Sequence, residues 1–435
     1  MATALTSIIF VLLLGIIFFS FILFKRELLI SLFLLLLSTN QFLPEGLKLS
    51  SSFTIYIDDI ALISLLIFFL MRPKSSKLLT GNQKNAIFMA VFIMCAFPIY
   101  ITLKNFLLFP ELAPPPGKMA IRILKSIART YCIYYIIVDI FKPKTPKYVD
   151  KTFIVLAFMF SVSILFQNSL ATLGFTFIEE NAAMTSIDKV THRITGFSAS
   201  GDANVAGMIF AILFGYYISN IEITPKHGLR YYIAAGLVFL AILKTGSRAA
   251  FAAIIIIMCF FLFKNIKSFK KKMVFIFLTA VMGFILIKFG DVLTSRLTDR
   301  ELIEKSIDTE SISSRPAKWF AYIQDIIQNP HYLLLGRISL PPIERDVHSA
   351  YIKMIWEGGL ILFIPTVIIF KRIIKQNKFR EKGSISVLYP LLGFLIPSIT
   401  ISTIIPPLFL PIIIALADPP KKTVPLTIVK TAGQK

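Results

Sequence analysis

Apolar and polar positions along this chain alternate in long blocks. Apolar runs occupy about 4–24, 28–43, 54–71, 86–103, 118–141, 153–171, 205–220, 231–243, 249–263, 273–289 and 355–370. Several reach the roughly 18–20 residues that a helix needs to cross about 30 Å of hydrocarbon. A last stretch, about 384–417, is too long for one straight span and is punctuated by Pro397, Pro406, Pro407 and Pro411. It predicts two helices, or one span plus a re-entrant piece. A transmembrane β-barrel would instead show segments of about ten residues with alternating hydrophobicity. The pattern therefore predicts an all-α polytopic membrane protein with about 12–13 transmembrane helices.

One polar interruption is much longer than the rest. It runs from Asp291 to Gly359 and carries Arg296, Arg300, Arg315, Trp319, Arg337, Arg345 and His348. A loop this long in a compact protein is more often functional than idle. The chain is read as N-terminal helices (1–185), a central region that holds the candidate motifs described below (186–372, with its loop at 291–350, expected to be partly helical) and a C-terminal segment with its tail (373–435).

Composition sharpens this picture. Apolar residues make up 56% of the chain and charged residues 16%, with a mean hydropathy of +0.76, outside the usual range of soluble domains. The net charge of +22 does not point to nucleic acid. Lys and Arg gather in short links between apolar runs, and no basic soluble domain exists to carry such binding. The basic links end runs one, three, five, seven, nine and eleven, which assigns them to the cytoplasm and the N-terminus to the outside. Segments 172–204, 244–248 and 291–350 are then expected to converge on the outer face. Cys95, Cys132 and Cys259 all lie in apolar runs without metal-ligand spacing, and read as small core residues. The first run is full length with no basic stretch before it, so no cleavable signal is expected.

Three outer motifs carry candidate chemistry. The first is His192-Arg193-Ile194-Thr195-Gly196, leading to Asn204 and Gly207. Arg193 is either an interfacial anchor snorkelling to headgroups or a fork-shaped clamp for a lipid-linked phosphate. The second is Thr245-Gly246-Ser247-Arg248. The glycine permits a tight turn, Ser247 can cap the next helix, and Arg248 beside free N–H groups suits an anion. A plain hairpin turn would not call for an arginine there, because the helix dipole disfavours it. The third is Asp346-Val347-His348-Ser349-Ala350-Tyr351, followed by Glu357-Gly358-Gly359. His348 is either structural or a general base for a sugar hydroxyl; Glu357 either orients it or caps packing. A basic stripe, Arg122, Lys125 and Arg129, shares one helical face. Arg122 is close enough to the outer surface to snorkel or to touch a phosphate, whereas Arg129 is too deep to snorkel comfortably.

With these motifs in view, the chain resembles the O-antigen ligase/polymerase superfamily of bacterial envelope glycosyltransferases. The likeness rests on Arg193 with Gly196 and Asn204, on Thr245-Gly246-Ser247-Arg248 opening a helix, and on Arg315, Trp319, Pro330 and Gly336 leading to His348, Tyr351 and Glu357-Gly358-Gly359. It extends over roughly 190–370. Ser349 stands where the family often has Asn, and Leu334-Leu335-Gly336 lacks a second glycine common there.

The resemblance implies an inverting enzyme that needs no cofactor or metal and sits in the bacterial inner membrane with its active site facing the periplasm. Its donor would be an undecaprenyl-diphosphate-linked glycan. Its acceptor would be another lipid-linked glycan in a polymerase, or lipid A–core in a ligase. Membrane lipids and a chain-length regulator are the other partners implied. Arg193 and Arg248 would bind the diphosphate and His348 would activate the acceptor, with Arg122, Arg129, Asn204, Ser247, Arg315, Tyr351 and Glu357 as substrate-binding candidates. The residues agree with this chemistry: arginines can neutralise a diphosphate leaving group without a metal, and no Asp-x-Asp pair lies at the outer face. The rival class is a lipid-linked oligosaccharide flippase or other transporter. Such proteins usually show internal repeats and functional groups at the midplane; here no repeat is evident and the candidates crowd one face.

Overall fold

The computed structural model describes residues 2–23, 25–39, 47–50, 53–55, 57–71, 79–109, 115–140, 145–172, 203–224, 228–265, 273, 315–337, 349–378, 385–401 and 409–417. Helices dominate: α1 (Ala2–Ile22), α2 (Arg26–Thr39), α3 (Ile57–Leu70), α4 (Gly81–Val91), α5 (Phe97–Leu108), α6 (Pro116–Asp139), α7 (Thr145–Leu165), α8 (Gln167–Thr172), α9 (Ala203–Ile223), α10 (Leu229–Thr245) and α11 (Arg248–Asn265). Then come α12 (Arg315–Gln328), α13 (Tyr332–Leu335), α14 (Ala350–Lys378), α15 (Leu388–Leu395), a 3-10 turn at Pro397–Ile399, and α16 (Phe409–Leu416). The fold is that of an all-α polytopic membrane protein.

One departure from all-helix is small. The link after run two contains an antiparallel hairpin, β1 (Leu47–Ser50) with β2 (Phe53–Ile55), in which Leu47 pairs Ile55.

Among the described residues four helical stretches are long and apolar enough to span a bilayer: Gly81–Leu108, Thr145–Leu165, Asn204–Ile223 and Ala350–Asn377. Shorter apolar pieces cover Leu12–Ile22, Asp59–Leu70, Arg248–Leu262 and Leu388–Ile399. The fifth expected span, now α6, is amphipathic because Lys118, Arg122, Lys125 and Arg129 interrupt it. It opens with proline at its first positions, where the missing N–H costs nothing. The tenth expected span, 273–289, lies outside the described residues except for Met273.

Expected run four is interrupted by a π turn at Phe92–Ala96. Pro98 follows at once; it lacks an N–H and its ring crowds the carbonyl four residues back, so the widened turn re-registers the chain. Of the cysteines, Cys132 is buried and Cys95 half-buried, but Cys259 is exposed on α11. The expectation of three core cysteines therefore fails for Cys259: an apolar run has two faces, and hydropathy does not say which one meets the protein.

α9 is the central helix. It is apolar all round, and nine-tenths of its spanning window is enclosed by neighbours. α15 crosses it closely, Gly393 lying against the Ala211 backbone and Gly215 against Tyr389 and Pro390, as small residues permit in membrane bundles.

Polar contacts sort the links into two ends. At one end Arg26 binds Asp139 at 3.2 Å and Thr145 at 3.0 Å. There too Asp150 accepts from Tyr216 at 2.8 Å and pairs with Arg230 at 3.0 Å. Glu222 meets Lys264 at 2.8 Å, Asn85 meets Gln376 at 2.7 Å, and Ser219 donates to the Ser386 carbonyl at 2.7 Å. These are the links that end runs one, three, five, seven, nine and eleven. The starts of α9, α11 and α14 lie at the other end.

Candidate outer-face site

At that opposite end the start of α9 meets the turn before α11. Gly246 closes α10 with φ of 64°, the left-handed conformation expected of the glycine. Ser247 is buried against Gly207: a Cβ at Gly207 would lie 2.6 Å from the Ser247 Cβ and 2.9 Å from the Ala250 Cβ. Ser247 was expected to cap α11. Its hydroxyl instead has no hydrogen-bond partner among the described residues, because packing on Gly207 turns it toward α9. Arg248 is exposed on the first turn of α11, and Asn204 is half-buried on the first turn of α9.

The start of α14 reaches the same region through the 3-10 turn after α15. Ser349 is buried, and its carbonyl accepts from Lys353 N–H at 3.0 Å. Tyr351 donates its hydroxyl hydrogen to the Leu395 carbonyl at 2.7 Å. Ser398 Oγ, on the 3-10 turn, lies 4.0 Å from Met208 Sδ on α9. The steps Tyr351–Leu395, Ser398–Met208 and Gly207–Ser247 thus link the start of α9, the Gly246 turn and the start of α14. A small apolar cleft of about 90 Å³ opens beside them, with Tyr351, Met354, Thr366, Phe394 and Ser398 among its walls.

A second cluster lies where the long loop returns to the bundle. Gly336, at φ 79°, and Gly359, at φ 63°, face each other. A Cβ on Gly336 would overlap the Glu357 carbonyl, and one on Gly359 would overlap the Leu334 carbonyl and lie 2.6 Å from Gly336 N. The Arg337 N–H donates to the Trp356 carbonyl at 2.7 Å. The Arg337 guanidinium is buried between Trp356 (4.4 Å to the ring centre) and Phe109 (5.1 Å). Burial pushes this guanidinium below its ordinary value, while nearby Glu357 pulls it back up. Lys104 on α5 donates to the Glu357 carbonyl, and Tyr100 donates to the Leu335 carbonyl at 2.7 Å. Trp356 Nε1 donates to Asp325 of α12 at 2.6 Å.

This clasp assigns a position to residues that sequence reading left idle. Arg337 was one cation among many in the loop, and Lys104 stood just past the expected end of run four. The usable signal was a glycine on each side, Gly336 before Arg337 and Gly358-Gly359 after Glu357. Replacing Arg337 by methionine keeps bulk but removes the charge over two rings. It is expected to cost about 1–2 kcal/mol of stability, read as a lower melting midpoint of the detergent-solubilised protein.

Other candidates are more scattered. Arg122 is exposed and Arg129 half-buried on α6, which packs against α3, α4 and α5. The middle cation of that stripe, Lys125, is held by Asp59 of α3 at 2.7 Å. The stripe therefore belongs to the α3–α6 flank, whereas Ser247 and Arg248 belong to the α9–α11 flank. Glu357 faces Lys104 through its carbonyl. Arg315 opens α12. Arg193 and His348 lie outside the described residues.

Residues 233–367 match the O-antigen ligase family. The matched stretch takes in the Gly246 turn, α11, the Gly336–Gly359 clasp and the start of α14. Over those residues it supports the likeness to the O-antigen ligase/polymerase superfamily that the motifs carry. Among curated proteins and solved structures nothing matches the chain.

Proposed function

We propose that this protein is a metal-independent, inverting glycosyltransferase that moves a glycan from undecaprenyl diphosphate onto an acceptor sugar. The reaction takes place at the periplasmic face of the bacterial inner membrane. The observation that carries the reading is the gathering of the α9 start, the Gly246 turn and the α14 start at one end of the bundle. The basic links lie at the other end, which the charge bias assigns to the cytoplasm.

In this reading the acceptor hydroxyl oxygen attacks the anomeric carbon from the face opposite the diphosphate. The new C–O bond forms as the bond to the diphosphate oxygen breaks, and His348 takes the hydroxyl proton. Arg193 and Arg248 neutralise the charge that develops on the leaving diphosphate. Ser247 and Asn204 line the approach. The apolar cleft beside Tyr351 offers the donor's tail a place that stays in contact with lipid.

The test is a reconstitution with purified protein and lipid-linked glycan in vesicles, product being resolved on a gel. Arg248→Ala is expected to lower turnover about a hundredfold or more, as when a transition-state anion donor is removed, with the protein still in the membrane. Near-normal product would remove Arg248 from the site. Gene deletion separates the two acceptors: single repeats on core mark a polymerase, and free lipid-linked polymer with bare core marks a ligase. Donor trapped on the cytoplasmic side would favour a flippase instead.

A further inference from the structure

The long loop returns to the bundle through α12 and α13, and α12 is apolar on two faces. One face is accounted for: Tyr322 and Ile326 are buried with Tyr332 and Trp356. A second stripe, Phe320, Ile323 and Ile327, points away from the protein, with Phe320 67% and Ile327 70% exposed. The spacing of three and four residues places these three on one side of the helix. Leu333, Leu334 and Leu335 on α13 extend the exposed apolar surface. A polar loop helix over water would carry polar residues there.

Depth explains the pattern. The Leu335 carbonyl is bound by Tyr100, eight residues before the end of the spanning helix at Leu108. At 1.5 Å per residue that is about 12 Å inside the helix end. Leu103, Leu107 and Leu108 on the same stretch are also exposed and would face lipid. α12 itself is bound to Trp356, within the first two turns of α14. α13 is thus fixed level with the lipid-facing stretch of α5, and α12 is tied to the first two turns of α14.

We propose that α12 and α13 are embedded in the outer leaflet, with Phe320, Ile323 and Ile327 seated among the upper acyl chains. The occupant of this surface is the bilayer, and the helix lies in the interface plane. The long loop is then anchored at headgroup depth, the depth at which any lipid-linked substrate carries its phosphates. The anchoring stands on exposure and depth alone, so it holds or fails independently of the enzymatic reading.

The test uses the full chain in vesicles of phosphatidylethanolamine and phosphatidylglycerol. A photo-crosslinking benzoylphenylalanine is placed at Phe320, at Ile327, or at Gln328, which is exposed on the polar side of the same helix. Mass spectrometry after illumination is expected to show phospholipid adducts at the first two positions, at least fivefold above the third. Equal lipid labelling at all three positions would overturn the proposal, as would its absence at the first two. A chain-to-chain crosslink at Phe320 or Ile327 would also overturn it and make the stripe a contact between copies.

Discussion

Gly359→Ala is expected to release the long loop from the bundle. Gly359 has φ 63° and ψ −171°, a conformation that is essentially glycine's alone. Forcing a Cβ into it costs about 1–3 kcal/mol from the backbone alone. The added carbon would also overlap the Leu334 carbonyl, which belongs to backbone that cannot rotate aside. The two penalties add to about 3–5 kcal/mol, the range that marks a specific structural failure. α13 should then separate from α14, taking Arg337 out of its aromatic stack. Limited proteolysis of the detergent-solubilised protein reads this directly, as new cleavage between Arg315 and Arg337. Gly236→Ala is the control: nothing lies within 4 Å of a Cβ there, and mid-helix alanine should be neutral or mildly stabilising. Wild-type resistance to protease in Gly359→Ala would mean that the clasp does not hold the loop.

The second large effect concerns His348. If its imidazole takes the acceptor proton, His348→Ala removes general-base catalysis, which is worth about 10²–10⁴ in rate. The loss should fall on kcat, with the KM for donor little changed, since the diphosphate is bound by arginines. Arg248→Ala should differ by raising the donor KM as well as lowering kcat. Membrane level and melting midpoint of His348→Ala should match wild type, as expected of a variant that loses proton transfer alone. A variant with normal kcat would leave His348 structural and return the search for a base to Glu357 or Tyr351.

Three features were absent from any single stretch of sequence. The interlock of Gly336 with Gly359 joins positions that the chain separates by a link and most of a helical turn series. Each glycine taken singly reads as an ordinary turn. In sequence Arg337 looks like any other cation of the loop; Phe109, just past the end of α5, and Trp356 of α14 single it out. Lys125 looked like a candidate cation until Asp59, far away in sequence, was placed beside it.

What the chain could settle alone was whatever depends on the solvent around each segment. Blocks such as 205–220 must be helical, because lipid leaves no other way to satisfy backbone hydrogen bonds, and the tally of Lys and Arg in the links orders the ends. The Gly246 turn was legible for the same local reason, since one residue had to take a left-handed conformation between two helices. Which side of each helix meets protein is a matter of partners, so Cys259 facing outward, Ser247 turned onto Gly207 and Arg337 clamped between rings were decided only when the helices packed. Hydropathy fixes where a segment lies in depth; lateral neighbours decide what its side chains do.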